Sequence, residues 1–492
     1  MAFGVGTLAA WPREPAALRV DAPTERFSAD RALGEVAAWA GGPRVTGTAA
    51  QRAAVNGLAA RLRTLGFVAE PHEYGRLLNL EASATGDRGE GVWLVAHSDT
   101  VRGSPGGADD GLGLAVLVEA ARVLSRDGVP ARLHLLITDG EEAGLYGAQA
   151  FVNDAPNARR LVINVEARGS EGPAYMFQTA GSTPPLLSAW RASGCTAQAG
   201  SLARWVYESL PNDTDFTVLR ASGAEGYDFA LIHGAWRYHT PDDTLAGLDP
   251  RAVQQVGDCV VGLAQEWLRG RPAAADSPLA WQQVGPWMVA LPTWAVRGAA
   301  LAGGLLVLAG MRGRGAVGGL LAWIAALALA AAVGTGALTT LVATWPDFLA
   351  RPAEVEHPEG VYVGAWVIAA ASAALSLRVA QRLSRRGAPE LVGGWLGGSA
   401  LCAATGALLA PEAGLVLLPG LFAAGARLHG GGIAAGAARV GAAGLAGAML
   451  GPVLLALPIA LTSRALPVLA VVPLLVVPWL LPLRLGASEK AP

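Results

Sequence analysis

The stretch Val92-Trp93-Leu94-Val95-Ala96-His97-Ser98-Asp99 decides how the first half of this chain is read. Five apolar residues, two of them β-branched and one aromatic, read as a buried strand, and a histidine and an acid stand where it ends. Outward from it the pattern alternates. A helix is expected over 112–125, a strand over 133–138, a helix over 143–153, and strands over 161–165 and 227–232. Upstream, residues 31–66 read as helical and a strand ladder begins near Leu77. Strands alternating with helices imply an α/β sheet covered on both faces, and ligands gather beyond the carboxyl ends of such strands.

That is where the polar residues concentrate. His97 and Asp99 close the first strand, Asp109 and Asp110 precede a helix, Glu141 and Glu142 follow a strand, Glu166 ends the next, and His239 follows the last. Each has a plain structural explanation. His97 alone fits a buried core histidine, Asp109 and Asp110 fit helix caps, Glu141 and Glu142 fit first-turn carboxylates, and His239 fits a turn. Their joint placement at strand ends in one domain points to a metal site instead. Imidazole and carboxylate suit zinc, and several carboxylates together allow two ions. The segment 182–207, with Trp190, Trp205 and Tyr207, reads as core or as pocket wall.

A chain of 492 residues is long enough for at least two folding units, and composition divides it. Charged residues are frequent up to about Arg271, whereas beyond Trp287 Ala, Leu, Val and Gly dominate. The net charge of −2 gives no reason to expect nucleic-acid binding, which usually shows a strongly basic domain face, and that class is set aside. Cys195, Cys259 and Cys402 show no CxxC spacing, so neither a thiolate zinc site nor a disulfide framework is expected.

Seven apolar stretches approach the length of about 20 residues needed to cross a bilayer: 292–311, 316–343, 362–377, 391–410, 413–426, 440–461 and 465–483. The fifth is short and the seventh carries four prolines. Arg312 and Arg314, Arg378 to Arg386, Arg427 and Arg439, and Arg484 with Lys490 all fall on one side, which the positive-inside rule makes cytoplasmic. The soluble domain then lies on the extracytoplasmic side. Residues 1–11 read as the tail of an upstream span. Ionisable residues are scarce inside the spans, which fits an anchor better than a transporter. The expected organisation is an N-terminal segment 1–30, a catalytic domain 31–270, a linker 271–290, a membrane domain of about seven helices over 291–484 and a polar tail 485–492.

The strings His97-Ser98-Asp99-Thr100, Gly107-Ala108-Asp109-Asp110-Gly111-Leu112-Gly113, Asp139-Gly140-Glu141-Glu142-Ala143-Gly144, Asn164-Val165-Glu166 and Tyr238-His239-Thr240 resemble, in order and spacing, the co-catalytic di-zinc aminopeptidase family. That family also includes glutamate carboxypeptidase II and glutaminyl cyclase. The membrane half and the string Asn212-Asp213-Thr214-Asp215-Phe216 are most similar to its endoplasmic-reticulum metallopeptidase branch. The resemblance covers roughly residues 35–265 and implies a mixed sheet flanked by helices, a zinc-exopeptidase-like sandwich, followed by the all-α membrane domain.

It further implies two zinc ions bridged by Asp109, with His97 and Glu166 completing one and Glu142 and His239 the other. Glu141 corresponds to the general base, Asp99 to the carboxylate that orients the first histidine, and Tyr238 to a tyrosine that steadies the tetrahedral intermediate. The implied activity is hydrolysis of an N-terminal residue from a peptide substrate, by a protein held in a lipid bilayer. Carboxypeptidase or endopeptidase action, glutaminyl cyclisation with one zinc, and a silent domain that binds a partner stay open. Two departures stand out: Glu166 where the best-known aminopeptidases have Asp, and Asp110, an added acid whose expected role is capping or support. Side-chain preference and oligomeric state are not legible.

Overall fold

The stretches 92–96, 133–138 and 161–165 become the centre of one eight-stranded sheet. In this computed structural model residues 2–155, 160–208, 212–270, 272, 278–311, 314–344, 359–384 and 388–419 are described, with scattered helical positions between 421 and 474. The chain divides into two units, Pro12–Pro278 on one hand and Met1–Trp11 with Leu279–Pro492 on the other.

In the first unit the strands are β1 (Val68–Tyr74), β2 (Leu77–Ser83), β3 (Gly91–His97), β4 (Leu133–Thr138), β5 (Arg160–Ala167), β6 (Tyr175–Ala180), β7 (Gln198–Ala199) and β8 (Glu225–Leu231), in the order β1-β2-β4-β3-β5-β8-β6-β7. Strands β4, β3, β5 and β8 run parallel, while β1 and β2 on one side and β6 on the other are antiparallel additions. Every residue of β3, β4 and β5 is buried, as parallel strands covered on both faces must be. Helices α4 (Gly111–Leu124) and α9 (Pro250–Arg269) pack against β3 and β5. Helices α5 (Tyr146–Asp154) and α8 (Asp215–Ala221) form a separate cluster in which Phe151, Phe216 and Leu219 meet Trp93, Val95, Leu136 and Val162.

Several local expectations need correction. Residues 31–66 are not one helix: α2 (Ala29–Val36) and α3 (Ala49–Thr64) are separated by a segment holding Gly41, Gly42 and Pro43. Proline cannot continue a helix, and glycine weakens one. The ladder begins at Val68 rather than Leu77, because β1 is a half-exposed edge strand whose Glu70, His72 and Glu73 hide it from an apolar pattern. Helix α5 starts at Tyr146, so Glu141 and Glu142 lie in the turn before it and not in its first turn.

The cysteine reading is overturned as well. Cys195 and Cys259 form a disulfide that ties the end of α6 (Thr183–Ser193) to the middle of α9, although 64 residues separate them. Cys402 is free. Closing a loop of 64 residues is worth about 4 kcal/mol in the chain-entropy account. Replacing both cysteines by alanine in the full chain is expected to lower the thermal unfolding midpoint of the soluble unit by on the order of 10 °C. An unchanged midpoint would mean that the bridge restrains nothing.

The second unit holds α1 (Ala2–Ala9), a hairpin of β9 (Leu279–Val284) and β10 (Trp287–Pro292), and helices α10 (Thr293–Gly310), α11 (Arg314–Thr344), α12 (Glu359–Ser384) and α13 (Ala388–Leu409). A short helix α14 (Pro411–Gly414) and a 3-10 turn (Leu415–Leu417) follow. Among the described residues three helices are long and apolar enough to cross a membrane, over Thr293–Gly310, Val317–Thr340 and Gly364–Leu383, and Gly393–Leu409 is a shorter apolar helix. These occupy the first four expected stretches. The stretch expected as a linker carries the β9–β10 hairpin, and most of the last three stretches lies outside the described residues.

Candidate metal centre

His97 is the last residue of β3, and its backbone N–H donates to Asp110 Oδ2 at 3.1 Å. Asp110 also caps α4, accepting the Gly113 N–H at 2.7 Å, so the added acid ties strand end to helix start. The His97 Nδ1 hydrogen bond runs to the Asp99 carbonyl oxygen at 3.1 Å, with the Asp99 carboxylate farther away at 3.5 Å. That carboxylate is occupied elsewhere: it accepts the backbone N–H groups of Glu141 and Glu142 at 3.1 and 3.2 Å. Asp99 thus aligns the turn carrying both glutamates as well as the histidine.

The other ring nitrogen of His97 faces Asp109 Oδ1 at 3.0 Å and Glu166 Oε2 at 3.6 Å. Asp109 Oδ2 lies 3.1 Å from His239 Nε2, which is 3.0 Å from Glu142 Oε2. Two groups therefore converge, His97-Asp109-Glu166 and Asp109-Glu142-His239, and within each the donor atoms lie within 4.8 Å of one another. Asp109 belongs to both. His239 reaches the centre with φ of +60°, a left-handed backbone uncommon for a non-glycine residue, and the Tyr238 ring stacks on its imidazole with centroids 3.7 Å apart. Glu141 stands in neither group.

Two side chains absent from the sequence reading hold the loop that presents Asp109. Asp243 accepts the N–H groups of Ala108 at 2.7 Å and Asp109 at 3.2 Å. Arg44 is buried, and its guanidinium donates to the carbonyls of Ser98, Pro105 and Gly106 at 2.9, 2.9 and 3.1 Å. Gly107 lets the loop pass close to the chain after His239, since a Cβ there would sit 2.1 Å from the Thr244 carbonyl carbon. Asp243 had a visible signal, a second acid close behind Tyr238-His239-Thr240, whereas Arg44 had none.

A second polar layer lies beneath Glu166. The Asn164 side-chain amide donates to Glu166 Oε1 at 3.2 Å and to Asp228 Oδ1 at 2.9 Å, and Thr214 donates to Asp228 Oδ2 at 2.8 Å. The Thr138 hydroxyl donates to buried Asp215, so the string around Thr214 and Asp215 supports the strand ends from below. Of the aromatic segment, Trp190 is core, Trp205 is half exposed, and the Tyr207 ring packs on Phe177.

So many acids in one place demand positive charge. Burial pushes the Glu141 carboxyl up to about 11, with Glu166 adding to it, and burial with Asp109 pushes Glu142 up to about 7. Burial alone would pull both histidines down, yet Asp109, Asp99 and Glu166 raise His97 well above its ordinary range, and Asp109 and Glu142 raise His239 to about 9. Glu142 Oε1 is buried with no hydrogen-bond partner, as expected of an oxygen placed for a metal. The donors are imidazole and carboxylate, a set suited to zinc.

Residues 79–264 match the model of Peptidase family M28. Endoplasmic reticulum metallopeptidase 1 of Mus musculus is 32% identical over 188 residues, which cover 37% of this chain and 21% of that one. A vacuolar membrane protease of Botryotinia fuckeliana is 33% identical over 159 residues, 31% of this chain and 15% of its own. The chain thus spans about a fifth of the length of the curated relatives it matches. Among solved structures, an aminopeptidase from Aneurinibacillus sp. strain AM-1 is 15% identical with a TM-score of 0.42, covering 52% of this chain and 97% of that one. The glutaminyl cyclase of Porphyromonas gingivalis is 24% identical with a TM-score of 0.39, covering 49% and 98%.

Proposed function

We propose that this chain is a membrane-anchored zinc metallopeptidase that removes N-terminal residues from peptides, working with two zinc ions held by His97, Asp109 and Glu166 and by Asp109, Glu142 and His239. The observation that carries the reading is the position of Asp109, whose two carboxylate oxygens face the two histidines, one oxygen to each group. A paired metal centre, when loaded, polarises the scissile carbonyl and makes a water nucleophilic near neutral pH.

The residues divide the remaining work. Glu141 belongs to neither donor group, and cations held by those groups would draw its carboxyl down from about 11 into the ionised form, so it is the carboxylate free to take the proton of the attacking water and deliver it to the leaving amine. Asp99 keeps Glu141 and Glu142 on their turn through two backbone N–H bonds, which lets adjacent glutamates serve different tasks. Tyr238, half-buried and stacked on His239, supplies a hydroxyl for the tetrahedral oxyanion, and desolvation pushes its pKa well above the ordinary value so that it stays protonated. Glu166, held by the Asn164 amide, stands where a substrate's ammonium group would be received.

The Cys195–Cys259 bridge supports an extracytoplasmic position for this unit, because disulfides persist in oxidising compartments, and it agrees with the arginine distribution. Specificity is tested with one peptide in three forms: free, N-acetylated and C-amidated. The expected result is release of the first residue from the free and amidated forms and none from the acetylated one. Internal cleavage of the acetylated peptide would make the protein an endopeptidase, and conversion of an N-terminal Gln without cleavage would make it a cyclase.

A further inference from the structure

The β9–β10 hairpin holds no charged residue, and it runs directly into a helix apolar enough to cross a membrane, α10 following β10 without a gap. The two strands pair antiparallel around Gly285-Pro286, with Gly285 at φ +56°, a backbone that favours glycine at such a turn. Ala280, Trp281, Gln282 and Gln283 of β9 are buried, and this strand packs against α14 and the 3-10 turn after it. β10 is the more exposed strand of the pair. Alternation puts Trp287, Val289 and Leu291 on one of its faces. Trp287 is 72% exposed and Leu291 36%, and Trp294 in the first turn of α10 is 74% exposed.

A strand edge that faces water is ordinarily blunted by charge, a bulge or a cover. This one has none of the charge. The same end of the bundle offers more uncovered apolar surface: Arg297 Nε donates to the Leu408 carbonyl at 3.3 Å, which sets the start of α10 level with the end of α13, where Leu409 is 79% exposed. A side chain on Gly285 would touch Ala9 and Ala10, so α1 ends at the hairpin turn, and it exposes Val5 and Leu8.

We propose that the hairpin is a lipid-binding shelf, lying in the headgroup region of the bilayer with Trp287, Leu291 and Trp294 turned into it. Tryptophan is favoured at that depth because its ring is apolar and its N–H polar. The geometry also fixes how the hairpin lies. From residue 287 to residue 291 a strand advances about 13 Å at roughly 3.3 Å per residue, whereas each headgroup layer is only about 5 to 8 Å thick. Both side chains can reach that layer only if β10 runs along the membrane rather than standing on it. The shelf would set the depth and rotation of α10. The inference is independent of the peptidase reading.

The test uses full-length chain carrying Cys402→Ser, so that one introduced cysteine takes a fluorescent label. Trp287→Cys, Trp294→Cys and Leu308→Cys are made separately and reconstituted in phosphatidylcholine vesicles bearing spin labels at the headgroup or deep in the acyl chain. The probes at 287 and 294 are expected to be quenched several-fold more by the headgroup label than by the deep label or by aqueous iodide, and the probe at 308 most by the deep label. Free quenching at 287 by iodide would overturn the proposal, as would protection at 287 from both iodide and spin-labelled lipid, the signature of a peptide or second copy on β10. Failure of the deep label at 308 would remove α10 from the bilayer and the shelf with it.

Discussion

Glu141→Gln is expected to lower kcat by on the order of 10²-fold or more while leaving the metal content of the protein unchanged. The reason is positional. Glu141 is half-buried and contributes to neither donor group, whereas its neighbour Glu142 faces His239 at 3.0 Å. An amide in place of the carboxylate keeps the size of the side chain and leaves the backbone bond to Asp99 in place, and it removes the ability to accept the water's proton. KM should move little, because the side chain is assigned to proton transfer and not to binding. Steady-state kinetics beside metal analysis of the same preparation separates the outcomes: loss of metal would make Glu141 a ligand, and full activity would move the base elsewhere.

Asp109→Ala is expected to do broader damage. One carboxylate stands in both donor groups, so its removal takes an oxygen from each and leaves His97 with Glu166 and His239 with Glu142. Changes in groups that only support ligands already cost roughly 10- to 100-fold in metal affinity, so loss of a shared ligand should cost at least about 10²-fold at both sites. His97→Ala, by contrast, should weaken one site and spare most of the other. Zinc titration followed by calorimetry distinguishes the two, and equal, single-site losses for both variants would refute a shared ligand.

What the sequence disclosed follows from burial. Strands β3, β4 and β5 are covered on both faces and therefore appear as predominantly apolar runs, which made the centre of the sheet and its carboxyl ends readable. The eight proposed site residues cluster around those ends, with Glu141 and Glu142 on one turn and Tyr238 stacked on His239. Strand β1 escaped notice because an edge strand keeps polar residues on its open side. Arg44 and Asp243 escaped because their partners are backbone groups far away in sequence, and a buried arginine clasping carbonyls looks, in a string of letters, like any surface charge. The disulfide was hidden for the same reason: 64 residues separate two cysteines that only the packing of α6 on α9 brings together. In the second unit apolar length revealed the helices, but the same lack of charge made the hairpin before α10 look like mere linker.

The central claim is that two metal ions, shared through Asp109, serve one hydrolytic site. It is tested most directly by stripping the full-length protein of metal in detergent, reloading it stepwise with zinc, and reading bound zinc per chain beside the release of free amino acid from an unblocked peptide. Saturation at about two zinc ions per chain, with hydrolysis restored in the loaded protein, is the predicted result. Saturation at one or none, or a protein that holds two and leaves the peptide intact, would contradict it.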